Sequence, residues 1–279
     1  MKNYMFYSML TNNLLKNMSD YNLTQTKKYD KIDIAIGGGG YNGFYVFGVN
    51  KILKKLLKNN RIHICRYAGT SVGAICCVLM VCDVSDENII QFYHNIKHSE
   101  DFLANVKKEL IRILPDNAYV LCSNRVFISL TTFPFLTNHV VSTFESNIEL
   151  IDACIASSCM PLLVTWRLYY KLKNKLYLDG FLSRNLILFN DSCSKQLIIQ
   201  PHMVEYNILN KFIPKDSAVT ALIVKGAIDA ELFFDSPDDS FELPYMKWKT
   251  KQSNQINLQL SLSLFSIGII SFFIIKKYR

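Results

Sequence analysis

Apolar residues recur along this chain with two alternating periods, and the alternation is clearest between residues 32 and 82. Ile32-Asp33-Ile34-Ala35-Ile36 is a short, mostly apolar run suited to a strand, and it passes directly into Gly37-Gly38-Gly39-Gly40-Tyr41-Asn42-Gly43. Past the glycines the period lengthens. Val46, Val49, Ile52, Leu53, Leu56 and Leu57 fall on one face of a helix, with Lys51, Lys54, Lys55 and Lys58 opposite. A second strand is predicted over residues 62–67 and a buried helix over 74–82. Strand, helix, strand and helix joined this closely make a βαβα unit, so the fold class expected is α/β with a right-handed crossover and a mainly parallel central sheet.

The later pattern is less regular. Ser85-Asp86-Glu87 reads as an N-cap with an acidic first turn, opening a helix to about residue 97. A further helix is expected over 101–113, broken by Pro115-Asp116-Asn117. Residues 125–132 and 138–144 read as a hairpin or adjacent strands. Ser146 begins a helix to Ala156, and 176–178 is a short strand ending in Asp179-Gly180. Residues 196–199 and 218–224 read as further strands. The organisation expected is a polar extension over 1–29, a main domain over 30–195, and an appended region over 196–255. A candidate transmembrane helix follows over 256–275, 20 residues without a charge and bounded by Lys276 and Lys277. At about 1.5 Å rise per residue that length spans a hydrocarbon core of about 30 Å. Placed there, it predicts a tail-anchored membrane protein with its main domain in the cytosol.

Composition narrows the class of partner. Half of the 279 residues are hydrophobic, enough for a large core, and the net charge of +8 favours an acidic partner. The lysines are scattered and no basic-aromatic nucleic-acid motif emerges, which points to a membrane surface and not to nucleic acid. Eight cysteines occur without C-x-x-C spacing, and the five histidines do not cluster with them. No metal site is expected, and the cysteines read as reduced core residues.

The chemistry centres on Gly69-Thr70-Ser71-Val72-Gly73, the pattern of a nucleophile elbow. A strand that reverses into a helix while exposing one hydroxyl needs glycine at both flanks, here Gly69 and Gly73. The helix that follows aims its positive end at developing negative charge. Gly38-x-Gly40-x-x-Gly43 also fits a dinucleotide-binding loop, but the region about 20 residues on reads Lys58-Asn59-Asn60-Arg61 and lacks the acidic ribose ligand. The same loop of N–H groups serves as an oxyanion hole, and no cofactor is expected. Ser71 needs a base. His202 with Asp179 would complete a triad, and Asp179 alone would complete a dyad.

Taken in order, these motifs resemble the patatin-like phospholipases. The matching features are the glycine loop, Gly69-x-Ser71-x-Gly73, Ala153-Cys-Ile-Ala156-Ser157-Ser158-Cys159-Met160-Pro161, and Asp179-Gly180. Residues 125–132, 144–151 and 177–185 are similar to the acylglycerol-lipase branch of adipose triglyceride lipase and adiponutrin. The resemblance covers roughly 32–190. It implies a three-layer α/β sandwich with a mainly parallel sheet. It further implies Ser71 as nucleophile, Asp179 as base, and Gly38, Gly39, Gly40 and Gly43 as the oxyanion loop. The substrate implied is a phospholipid or acylglycerol at a membrane or lipid-droplet surface, cleaved by a serine ester hydrolase without metal or cofactor. Two positions depart from the family: Asn42 stands where most members carry a basic residue, and Phe181 where they carry Gly or Ala. A catalytically silent lipid-binding protein is the alternative, favoured if Phe181 disables the dyad.

Overall fold

The structure is a computed structural model, and it describes residues 29–97, 101–184, 186–191, 194–203, 216–236 and 238–249. It is mixed α/β, a sheet with helices packed on it, and the chain divides into two compact units. The candidate membrane helix over 256–275 lies outside the described residues. Among those described, no helix is long and apolar enough to cross a membrane.

One unit takes residues 29–35, 39–66 and 189–249. Its strands are β1 (Tyr29–Ile36), the first half of β2 (Ile62–Thr70), β7 (Lys195–Ile199) and β8 (Met246–Trp248), ordered β2-β1-β7-β8. Helix α1 (Gly43–Lys58) buries Val46, Val49, Ile52, Leu53 and Leu56, the stripe its 3.6-residue period predicts. That stripe packs on the long helix α7 (Asp216–Asp235), closely enough to require glycine at the crossing. A Cβ on Gly48 would lie 1.9 Å from the Ile223 carbonyl oxygen, and one on Gly226 would lie 1.9 Å from that of Tyr45. The Tyr45 hydroxyl donates to Asp229 at 2.9 Å, so the acid buried in this contact has a partner. Nearby, the fully buried Asp33 receives the Arg66 guanidinium, which also forks onto Asp191.

Residues 218–224 are helix, not strand. Read alone, Ala-Val-Thr-Ala-Leu-Ile-Val has strand propensity. Over the full element, however, Val219, Leu222, Ile223, Ala227, Ala230, Phe233 and Phe234 are buried at three- and four-residue spacing. Twenty residues carry that stripe, and it overrides the local β-branched preference.

The other unit takes 36–38 and 67–188. Its strands run β5 (Tyr170–Leu172), β6 (Lys175–Asp179), β3 (Val126–Thr132), then the second half of β2, with β4 (Asn138–Val141) also on β3. β2 and β3 are parallel, while β4 and β6 join β3 antiparallel and β5 joins β6 antiparallel. Helices α2 (Val72–Val81), α3 (Asp86–Ile96), α4 (Phe102–Ile113), α5 (Ala118–Cys122) and α6 (Asn147–Ser157) complete it. Their starts obey the capping rules: Ser85, Asp101 and Ser146 each accept a backbone N–H from the first turn. Helix α6 lies over β3, β5 and β6, and α2 also packs on β3. Helix α2 carries small or apolar residues on every side, whereas α6 buries Leu150, Ile151, Ala153, Cys154 and Ile155 and turns Glu149 and Asp152 to lysines.

Candidate functional site

Ser71 sits between β2 and α2 with φ 57° and ψ −130°, a conformation that L-residues avoid. Two features impose it. A Cβ on Gly73 would lie 2.4 Å from the Ile36 carbonyl oxygen and 2.7 Å from that of Gly37, so α2 starts hard against Ile36 and Gly37 of its own unit. From the other side the Ser71 N–H donates to Ser157 Oγ at 2.8 Å, and that hydroxyl donates to the Ser129 carbonyl at 2.7 Å. Gly69, the other flank, is still in β2 and pairs with Ile128. The turn therefore presents the serine side chain at the head of a ten-residue helix, whose dipole favours negative charge there.

Asp179 ends β6 and is 2% exposed. Its main chain is fixed at both ends: the N–H donates to the Cys159 carbonyl at 2.8 Å, and the carbonyl accepts the Thr131 hydroxyl at 2.7 Å. The carboxylate accepts the Phe181 N–H at 2.9 Å, and the nearby Ser71 side chain favours its charged form. Burial raises this carboxyl to about 7, and Phe181 and Ser71 oppose the rise. Its neighbour is a glycine for a steric reason, since a Cβ on Gly180 would lie 2.1 Å from the Ser129 carbonyl oxygen. The carbonyl of Ser129 thus limits Gly180 and anchors Ser157, which in turn holds Ser71.

Of the residues singled out in the sequence, Ser71 and Asp179 are brought near enough for the serine to bear on the carboxylate. Gly38 belongs to their unit. Gly39, Gly40 and Gly43 belong to the other unit, where Gly40 has φ 57° and Gly43 opens α1. Asn42 is buried there and donates to the Pro201 carbonyl at 3.0 Å, which ties the glycine loop to the short turn Pro201–Met203. At this departure from the family pattern, the amide has a structural task that a long basic side chain would not reproduce. His202 lies in that same turn. The groups that bear on the Asp179 carboxylate are the Phe181 N–H and the Ser71 side chain. Phe181, the other departure, contributes its backbone N–H to the carboxylate, which any residue but proline could supply.

The residue that sequence reasoning passed over is Ser157. It stood within the Ala-Ser segment that carries the family resemblance, but nothing in its spacing revealed that it holds the elbow. Ser157→Ala is expected to leave the Ser71 N–H without its partner, costing about 1–3 kcal/mol of stability in urea unfolding. Ester turnover should fall about tenfold through kcat, because a strained nucleophile that loses its brace is misplaced. A wild-type kcat in this variant would show that the brace does not matter.

Residues 34–189 match the family model described as patatin-like phospholipase, more than half of the chain. The chain belongs to the patatin-like phospholipase family. It is 29% identical over 172 residues to human patatin-like phospholipase domain-containing protein 4, covering 56% of this chain and 66% of that protein. It is 28% identical over 201 residues to bovine patatin-like phospholipase domain-containing protein 2, covering 67% of this chain and 39% of that one. It is also 28% identical over 195 residues to mouse 1-acylglycerol-3-phosphate O-acyltransferase Pnpla3, covering 64% and 45%. These relatives place it near the adipose triglyceride lipase and adiponutrin branch. The chain spans less than two-thirds of the length of each of these relatives, so the match concerns their patatin-like portion. Among the described residues, no three His, Cys, Asp or Glu side chains are grouped as metal ligands are.

Proposed function

We propose that the protein is a membrane-associated lipid acyl-ester hydrolase that works through a Ser71–Asp179 dyad on a three-layer patatin-like sandwich. The observation that carries this reading is the buried Asp179 carboxylate, raised to about 7, beside the side chain of a conformationally strained Ser71. A base with that affinity takes a serine proton at neutral pH more readily than an ordinary carboxylate does. Ser71 Oγ attacks the acyl carbonyl carbon as its proton passes to Asp179. The oxyanion is held by backbone N–H groups at the start of the glycine loop, around Gly38 of the same unit, at about 3 kcal/mol per donor. On collapse, the C–O bond to the alcohol breaks and Asp179 returns the proton to the leaving oxygen. Water then repeats the sequence on the acyl-enzyme and releases the fatty acid.

A second reading differs only in the acceptor. One relative is named as an acylglycerol-phosphate acyltransferase, and an acyl-enzyme attacked by a lipid hydroxyl instead of water would transfer the chain. Phospholipid and acylglycerol are both proposed as acyl donors. The apolar residues 256–275 are proposed as an added membrane anchor.

A fluorophosphonate probe tests the nucleophile directly. It should lose fluoride and form one covalent bond to Ser71 Oγ, found by peptide mapping, in step with loss of fatty-acid release from phospholipid or acylglycerol. Unlabelled Ser71 in folded, fatty-acid-releasing protein would overturn the dyad reading.

A further inference from the structure

The unit that contains Ser71 carries an unusual surface at one end of β3 and just beyond α6. The turn at 133–137 between β3 and β4 exposes Phe135 at 81% and Leu136 at 55%. The segment 161–169 exposes Trp166 at 74% and Leu168 at 63%, with Leu163 and Tyr169 beside them. The two segments meet: the rings of Phe133 and Tyr169 stack with centroids 5.5 Å apart. The turn is also clamped, because Phe133 N–H donates to the Leu176 carbonyl at 2.9 Å and Leu136 N–H to the Thr132 carbonyl at 2.8 Å. A firmly held turn with its largest apolar side chains in water calls for an occupant, since side chains like these otherwise bury themselves.

Charge identifies that occupant. Neither 133–144 nor 153–178 contains an aspartate or glutamate, whereas the latter holds Arg167, Lys171, Lys173 and Lys175. Arg167 pairs with Asp101 at 3.4 Å, and Lys173 pairs with Glu149 at 2.8 Å and Glu145 at 3.3 Å. Lys171 and Lys175 are exposed and have no carboxylate partner among the described residues. An open groove of about 580 Å³ runs along Arg167, Leu168, Tyr169, Tyr170 and Lys171. Trp and Tyr beside apolar tips, rimmed by lysine, are what a bilayer interface with anionic headgroups accepts. The chain's own termini fit poorly as a cover: residues 1–28 have four lysines against one aspartate, and 250–279 have Lys251, Lys276, Lys277 and Arg279 with no acid. A second copy would bring the same cations.

We infer that residues 133–137 and 161–169 form a docking surface that inserts its aromatic and leucine side chains into an anionic lipid bilayer. The consequence for function rests on the ester-hydrolase reading. Segment 161–169 follows within a few residues of Ser157, which holds Ser71, and Cys159, whose carbonyl holds Asp179, so docking brings the bilayer up to the wall of the dyad.

The test uses the full chain with phosphatidylcholine vesicles, with and without phosphatidylserine. Trp166 is one of two tryptophans, and the other, Trp248, is buried in β8. On anionic vesicles the emission should move to shorter wavelength and be quenched by brominated acyl chains, and Trp166→Phe should remove that response. Phe135→Ser with Leu168→Ser should weaken vesicle affinity at least about tenfold, since each side chain takes apolar area out of water on insertion. Lys171→Glu with Lys175→Glu should abolish the preference for phosphatidylserine. Vesicle flotation with unmoved Trp166 emission would show that another segment docks. A shift that needs only more protein would show a second copy. Either result overturns the proposal, as would an unaltered affinity in both double variants. Turnover of a water-soluble short-chain ester, measured alongside, should persist in the surface variants. If the parent itself does not turn that ester over, the hydrolase reading fails while the docking result stands.

Discussion

Ser71→Ala is expected to reduce ester turnover by about 10³-fold or more while the protein stays folded. No other group can take the place of a nucleophile, and a residual rate would come only from binding and oxyanion donors. The fold should tolerate the change, because the strain at φ 57° belongs to the backbone and alanine suffers it as serine does. The brace survives too, since it is the Ser71 N–H that meets Ser157 Oγ. What alanine removes is the hydroxyl that favours the ionised Asp179, leaving the buried carboxylate with the Phe181 N–H and a still higher proton affinity. Circular dichroism should therefore match the parent and kcat should collapse. Equal turnover by the two proteins would refute the nucleophile assignment.

Asp179→Asn should be as damaging to activity and should act oppositely on stability. Without a base the Ser71 proton has nowhere to go, and kcat/KM should fall about 10³-fold or more. In the parent, kcat/KM should rise with pH through about 7 and level off above it, because the ionised carboxylate is the active form. Linkage sets the sign for stability. The folded-state value of about 7 lies above the ordinary 3.8, so the native state holds a proton that the unfolded chain gives up. The stabilising contribution is complete below about 4 and is lost as pH rises to about 7. At about 1.36 kcal/mol per pH unit the loss is about 4 kcal/mol. Asparagine keeps an acceptor for the Phe181 N–H but never ionises. The variant should thus gain on the parent by about that amount between pH 4 and 7 in paired denaturation curves. Parallel stability profiles would mean that Asp179 is not perturbed as described.

The two variants ask different things of one contact. Loss of activity in both, with the stability advantage confined to the asparagine, is the signature of a dyad in which a poor solvent for charge supplies a good base. A silent lipid-binding protein would show the stability profile without any turnover to lose.

Much of this architecture could be read from the chain. The strand, glycine loop, helix, strand and elbow between residues 32 and 82 were legible because each is a local matter of period and glycine placement. Ser85 announced its helix by capping chemistry, and the structure shows Asp101 and Ser146 doing the same. The 218–224 segment misled because a seven-residue window holds too little of the helical period, and only the neighbouring helix α1 explains why Gly226 sits mid-helix. Ser157 could not be assigned because its task is defined by partners far away in sequence, the Ser71 N–H and the Ser129 carbonyl.

The sequence by itself therefore determined most of the elements and the family, since these follow from residue type and spacing. It did not determine that Ser71 comes near Asp179, how deeply Asp179 is buried, or that Phe135 and Trp166 stand in water. Those depend on which strand lies beside which and on what each packed helix excludes. Proton affinity is set by desolvation, and apolar exposure by what covers a side chain; both are properties of the folded surface and not of the chain.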